Sequence, residues 1–438
     1  MQIDNTTYSD LSVFQTTDEF SIFGKLDHTR TVGGRVQLLE FFNKPFSQLD
    51  KIRQTQEILQ IILKYENEWG PSISNGTVMV MERFYDTPID RIPSSHDPVS
   101  ARMYQLLHAP DYSLTRYSIS HFADFIRGIL SITAIRNKES CPALLKNLLD
   151  RADKLLSAPI LRALAEKKSG EKLQPNEVVE YGNFIRNHFK PAAVALIEIY
   201  GKLDAWYSMA VAGRKFGLAI PEFNDIGVPI LEIKALHHLL LPHAVSYDVK
   251  MDPQSNFFFL TGANMAGKST FIKAVGIAVF LAHLGMGVPA EQMNTSIFDG
   301  ILSNINVVDN VAKGESYFFN EVQRIRNTII RISDEKKWLV LIDELFKGTN
   351  VQDAMKCSST VIRGLIKIKS SLFILSTHLY EIGEELKQYP NICFKYFETG
   401  IKDGQLEFPY HLKDGISNDR LGYLILEREK VVELLDKL

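Results

Sequence analysis

The 438 residues, 45% hydrophobic and 23% charged, are too many for one ordinary core and have the composition of a soluble chain of two or three domains. A formal net charge of -3 excludes a global basic field, so any contact with nucleic acid has to come from a local patch or from a channel between two chains. Cys141, Cys357 and Cys393 lack the spacing of a disulfide framework or a zinc site, the first residues lack a signal peptide, and no apolar run reaches the ~20 residues that cross a bilayer; a cytoplasmic chain without membrane contact is expected.

From about Leu11 to Phe216 apolar residues recur three and four apart, which predicts helices. One pattern runs from Leu38 and Phe42 through Ile52, Ile58 and Ile62. A second runs from Ala143 through Leu149, Leu156 and Leu164, with a kink expected at Pro159. A third runs from Val178 through Ile185 and Ile197 to Leu203. The polar stretch Lys167 to Lys172, followed by Pro175, reads as the tip of a helical hairpin, within a reduced clamp near 165–175. Its lysines suit DNA phosphates or simply a solvated turn. Residues 71–117, rich in Pro, Ser, His and Asp, give no clear pattern.

Near Pro221 the pattern changes to short apolar runs separated by glycine-bearing turns. Phe257 to Thr261, Trp338 to Asp343 and Leu372 to Ser376 have the length and uniform apolarity of strands buried on both faces, which predicts a parallel sheet covered by helices. Val275 to Val288 reads as the helix that follows the first of these strands and its loop. Ile392 to Thr399, the turn at Lys402-Asp403-Gly404 and Gln405 to Tyr410 read as an antiparallel hairpin, and a last helix is expected from about Leu421 through Ile425 to Leu435.

Residues 261–270, Thr-Gly-Ala-Asn-Met-Ala-Gly-Lys-Ser-Thr, follow the first of those strands and form a phosphate-binding loop. Gly262 and Gly267 let backbone N–H groups turn onto the phosphates, Lys268 reaches the β and γ oxygens, and Ser269 offers a hydroxyl to Mg²⁺. Asn264 and Thr270 complete the nucleotide-contacting stretch. ATP with Mg²⁺ is therefore the expected ligand. Asp343 and Glu344 end a buried strand: Asp343 suits the Mg²⁺ site with Ser269, and Glu344 suits the general base that polarises the attacking water. His378, after the next strand, is positioned to sense the γ-phosphate or to be held in a hydrogen bond of its own.

Taken in order, residues 261–270, Val288-Pro289-Ala290, Asp309 to Phe318, Asp343 to Asn350 and Ser376-Thr377-His378 resemble the ATPase motifs of the MutS family. Phe23 to Arg35, with Pro45 behind, resembles the opening of the family's helical core, and Ile3, Asp4, Thr7 and Leu11 resemble that domain's first residues. The resemblance covers about Gln2 to Ile62 and Lys202 to Val431. It implies a multidomain α and α/β chain: an all-helical core and lever domain over 1–220, then an ABC-type P-loop ATPase domain with a mixed, mostly parallel sheet and a dimerisation surface over 221–438. It also implies a homodimer in which Ser316 reaches the partner's γ-phosphate, catalytic roles for Glu344, His378 and Ser316, and a place near the adenine for Tyr410, which otherwise reads as a core tyrosine.

The resemblance begins at the core, so the family's mismatch-reading and connector domains are not expected. Phe319-Asn320-Glu321 has the letters of the mismatch-reading motif but falls in the helix after the signature loop, and reads as coincidence. Asn310 and Phe346 stand where the family has an acid and a glycine. The expected function is an ATP-driven DNA-binding switch, acting on mismatched, branched or non-specific duplex and working with repair proteins; a dimeric ATPase whose helical arms hold a protein is the alternative.

Overall fold

In the computed structural model every residue is described except 96, 169–170, 307–316, 403–404, 418–430 and 436–438. The chain divides into two compact units. One comprises Met1–Lys25, Pro45–Leu49 and Phe216–Leu438; the other comprises Leu26–Lys44 and Asp50–Lys215. This division differs from a cut at 220, because strand β1 (Gln2–Ile3) pairs in parallel with the later strand Gly300–Asn304. Helix α1 (Asn5–Asp10), capped by Asp4, follows it, and α2 spans Ile22–Leu26. The helical periodicity starts only near Leu11, so it does not include α1, and it does not show which unit these helices join.

The second unit is helical. Helix α3 (Val32–Asn43) starts at Thr31, whose hydroxyl accepts from Gly34 N. Asp204, on the last helix of the unit, is buried and accepts from Arg30 N, from Thr31 N at 2.8 Å and from the Thr31 hydroxyl at 2.7 Å. A Cβ on Gly34 would lie 2.0 Å from Asp204 Oδ2, so only glycine fits there. Burial pushes the Asp204 carboxyl above its usual range, against these hydrogen bonds, which pull it down.

Helix α4 (Leu49–Lys64) buries Ile52, Ile58, Leu59 and Ile62. The unplaced segment contains α5 (Asn75–Asp86), capped by Ser74 paired with Thr77, α6 (Pro98–Leu107), capped by Asp97, and the start of α7 (Ala109–Ala134). Helix α8 (Ala143–Leu155) stops before Pro159, and α9 (Pro159–Glu166) begins there. The expected kink is therefore a helix start, since proline lacks only an N–H that the first turn leaves unpaired anyway. Helix α10 (Pro175–Phe184) runs through a π-helical segment, Ile185–Phe189, into α11 (Lys190–Lys215). At the expected tip, Lys167 Nζ lies 2.7 Å from Glu177, so that lysine is held within the unit.

The first unit is built on a seven-stranded sheet. Its strands are β5 (Phe257–Thr261), β7 (Gly300–Asn304), β8 (Trp338–Asp343), β9 (Leu372–Ser376), β10 (Ile392–Phe397) and β13 (Leu412–Asp414), with β1 at one edge. The order is β1-β7-β8-β9-β5-β10-β13, parallel except for β13. Strands β2 (Glu222–Phe223), β3 (Leu231–Leu236), β4 (Tyr247–Met251) and β6 (Gln292–Thr295) form a second sheet in the order β2-β6-β3-β4. The expected hairpin is corrected: β10 pairs with β13, while among the described residues β11 (Gly400–Lys402) and β12 (Gln405–Glu407) pair only with each other. The sheet edge is antiparallel as expected, but a longer excursion separates its strands.

Helix α12 (Lys268–His283) follows β5 and is buried along almost its whole length, which is why its sequence shows no polar face. It ends earlier than Val288. Helices α13 (Tyr317–Ile332), α14 (Val351–Leu365) and α15 (Glu381–Leu386) complete the layers. Of the last expected helix, Val431–Leu435 forms α16, and Ile425 lies outside the described residues. No helix among the described residues is long and apolar enough to cross a membrane.

Candidate nucleotide site

Strands β8, β9 and β5 are adjacent and parallel, so their carboxyl ends meet at one edge of the sheet. The register is direct: Asp343 is opposite Ser376, and Ser376 is opposite Leu260 on its other side. The residues that follow these strands are the loop 262–267, Glu344 and Thr377-His378. Strand ends in open α/β sheets are where ligands bind.

The loop depends on left-handed backbone. Gly262 has φ +138 and Gly267 has φ +105, and a Cβ on Gly262 would crowd the Phe397 carbonyl oxygen at 3.2 Å. Met265, also left-handed at φ +67, turns its side chain to solvent. Gly267 caps α12, so Lys268, Ser269 and Thr270 form the first turn, where free N–H groups favour an anion. Lys268 is buried and its ammonium donates to Gly262 O at 2.6 Å and Ala263 O at 2.9 Å. Desolvation lowers its pKa to about 8, against the pull of Glu344 and Asp343.

Asp343 is buried and accepts from two hydroxyls, Ser269 Oγ on Oδ2 and Ser376 Oγ on Oδ1. A hydroxyl beside an acceptor-only carboxylate, at a helix start that favours phosphate, is the oxygen donor set a hard divalent cation takes. The next residue is turned away by a left-handed backbone, Glu344 at φ +67, with its N–H donating to Ser376 O at 3.0 Å. Its carboxylate meets His378 Nε2 at 2.7 Å and Lys347 Nζ at 3.4 Å. Burial pushes the Glu344 carboxyl up, but His378, Lys347 and Lys268 outweigh it and hold it below the usual range. The structure therefore brings Lys268, Ser269, Asp343, Glu344 and His378 together, with His378 bonded directly to Glu344. Ser316, like Asn310, lies outside the described residues.

A cavity of about 480 Å³ opens beside the loop, lined by Lys268, Ser269, Thr270 and Glu344 together with Leu241, Pro242, Val245, Tyr247 and Tyr410. Asn264 and Gly267 also line it. Its wall combines charged and apolar groups, as a ligand with phosphates and a base requires. Tyr410 is left-handed at φ +56 and partly exposed, and its ring lies 3.2 Å from where a Cβ on Gly267 would be. It is a wall of the cavity and not a core residue. The segment 238–247 was missed in the sequence, because a proline- and histidine-bearing loop carries no phosphate-binding signal. His238 there is buried, and desolvation lowers its pKa to about 4, so it is neutral.

Two further residues hold the site from outside it. Ser417 N donates to Thr261 Oγ1 at 2.9 Å, tying Asp414 to Ser417 back to the start of the 261–270 loop. Glu321, on α13, is buried, and its two oxygens accept from Lys347 N at 3.0 Å and Gly348 N at 3.2 Å. The Phe-x-Glu letters at 319–321 thus serve the first unit internally.

Residues 258–433 match the family model for MutS domain V. The chain is similar to the DNA mismatch repair protein MutS of Pseudothermotoga lettingae, 29% identical over 232 residues, which cover 52% of this chain and 28% of that protein. It is 28% identical over 280 residues to that of Thermotoga maritima, covering 63% of this chain and 34% of the relative. For Lactococcus lactis subsp. cremoris the figures are 28% over 234 residues, 52% and 28%. The match therefore spans about a third or less of these relatives' length.

Proposed function

We propose that the chain is a MutS-type, Mg²⁺-dependent ATPase whose nucleotide state controls binding to DNA, a reading supported by the match of residues 258–433 to the family model for MutS domain V. The carrying observation is the pairing of Glu344 with His378 at 2.7 Å, immediately after an Asp343 that already holds Ser269. Magnesium, when bound, neutralises phosphate charge, and Ser269 and Asp343 are the residues to hold it.

The phosphate loop amides and Lys268 position the triphosphate in line with Glu344. Glu344, held ionised by its neighbours, accepts the proton of the attacking water, and His378 fixes the carboxylate's orientation on the γ-phosphate side. Tyr410 and Val245 enclose the base. In a homodimer Ser316 completes the partner's site, and nucleotide-driven closure of two ATPase units moves the helical units attached to them. Mixing Ser316→Ala with Lys268→Ala chains then restores part of the lost turnover, since one hybrid site keeps both halves.

The DNA reading is tested by titrating homoduplex, mismatched and four-way-junction DNA at several salt concentrations, with and without a non-hydrolysable ATP analogue. Salt-sensitive binding that changes with the analogue is the expected result. No binding to any of the three at low salt, in either state, removes DNA as the target and leaves the helical arms to a protein partner.

A further inference from the structure

The loop after the acidic pair has an unusual backbone for its sequence. Glu344 and Phe346 both lie in the left-handed region, at φ +67 and φ +60, which side chains other than glycine and asparagine disfavour. Phe346 has no freedom to relieve this by moving outward: it is buried, with its ring against Phe318 at 5.7 Å. Something must hold the turn. The amides immediately after Phe346, those of Lys347 and Gly348, both donate to the one buried carboxylate of Glu321. Glu321 and Phe346 also line a narrow cleft with Glu344 itself.

We propose that Glu321 is a positioning residue for ATP hydrolysis: its carboxylate clamps the Lys347 and Gly348 amides and so keeps the Phe346 turn, and Glu344 before it, in the geometry that reaches the attacking water. The inference rests on Glu344 being the general base. Two hydrogen bonds to a buried charge are strong enough to offset one disfavoured backbone conformation. Losing them lets the turn relax, which moves the base without touching the phosphate loop that binds nucleotide. Glu321 sits on α13, which directly follows 307–316, so the clamp also ties that helix to the base.

The test uses Glu321→Gln in the full chain. A carboxamide offers one acceptor oxygen and turns its NH₂ toward the second amide, so one of the two bonds is lost. We expect kcat per folded molecule to fall about tenfold, with the Kd for a non-hydrolysable ATP analogue within twofold and the melting temperature nearly unchanged. Phe346→Gly removes the backbone conflict, so the loss caused by Glu321→Gln shrinks in that background. Where loss of the buried ring prevents folding, Phe346→Asn, which accepts the left-handed region, takes its place. Unchanged kcat in Glu321→Gln, equal losses in both backgrounds, or parallel losses in kcat, Kd and melting temperature overturn the proposal. Glu344→Gln is run beside it: if that variant still turns over ATP, the general-base reading fails, whereas an inactive Glu344→Gln with a normal Glu321→Gln sinks only the positioning role.

Discussion

Nucleotide affinity should depend on pH through Lys268. In the free protein desolvation brings the ammonium's pKa to about 8, from an ordinary value of 10.5. Phosphate oxygens around it restore the charged form, so the complex binds more protons than the free protein at any pH between these values. Affinity therefore falls as pH rises through that window. Below about pH 8 the free lysine is mostly protonated and the effect is small. Above it, each pH unit weakens binding about tenfold until the bound lysine itself titrates, a total of about 3 kcal/mol. The nucleotide's own phosphates are fully ionised there, with a last pKa of roughly 6 for a phosphate ester. The assay is the Kd of a non-hydrolysable ATP analogue with Mg²⁺ from pH 7 to 10, beside Lys268→Arg, whose guanidinium stays charged throughout. A decade of affinity per unit above pH 8 in the wild type, absent in the arginine variant, is expected. A flat wild-type profile, or the same slope in both, refutes the argument that burial of Lys268 sets the affinity.

Glu344→Gln should keep nucleotide affinity and lose turnover by roughly 10²–10⁴-fold, the usual contribution of a positioned general base; single-turnover hydrolysis at the wild-type rate would remove Glu344 from that role. Asp204→Ala should destabilise the helical unit by about 2–4 kcal/mol, because Arg30 N and Thr31 N lose their acceptor in a buried site; a melting temperature within one degree of wild type contradicts this.

The legible parts of the chain were those where one short segment carries the physics. The segment 261–270 is contiguous, and Phe257 to Leu260, Trp338 to Ile342 and Leu372 to Leu375 are buried on both faces, so their strands stand out as unbroken apolar runs. Helix α12 was recognisable for the same reason, though not its end. The obscure parts depend on partners far along the chain. Ser74 with Thr77 and Asp97 with Pro98 announce helix starts in 71–117, but short helices between polar loops carry too little periodicity to show. The cavity wall at 238–247 and the contacts of Glu321 exist only once α13 and the sheet are assembled. Phe346 was visible as a departure from the family, and the structure adds its left-handed backbone.

The first residues illustrate the same limit and lead to a fragment experiment. Residues 1–25 belong with the sheet-containing unit, not with the helices that follow them. Asp10 is buried and accepts from Ser303 Oγ at 2.6 Å, Ile305 N at 2.9 Å and Asn306 N at 3.0 Å, and Thr7 Oγ1 accepts from Ser303 N at 3.0 Å. Leu11 and Val13 are fully buried, Leu11 against Gly276, where a Cβ would come within 2.6 Å of it. A fragment cut at the apparent domain boundary, residues 221–438, loses all of this. Four donors at the end of β7 lose their acceptors, at about 1–3 kcal/mol each where water does not reach them, and two apolar side chains are stripped from the core at about 1.5–3 kcal/mol each. The sum matches or exceeds the ~5–15 kcal/mol that holds a domain together. The fragment should fail to unfold cooperatively on heating, whereas adding residues 1–25 as a separate peptide, or fused through a flexible linker, should restore a transition. A cooperative melt of 221–438 alone, at the temperature of the full chain, would show that β1 and Asp10 merely decorate a sheet that is complete without them.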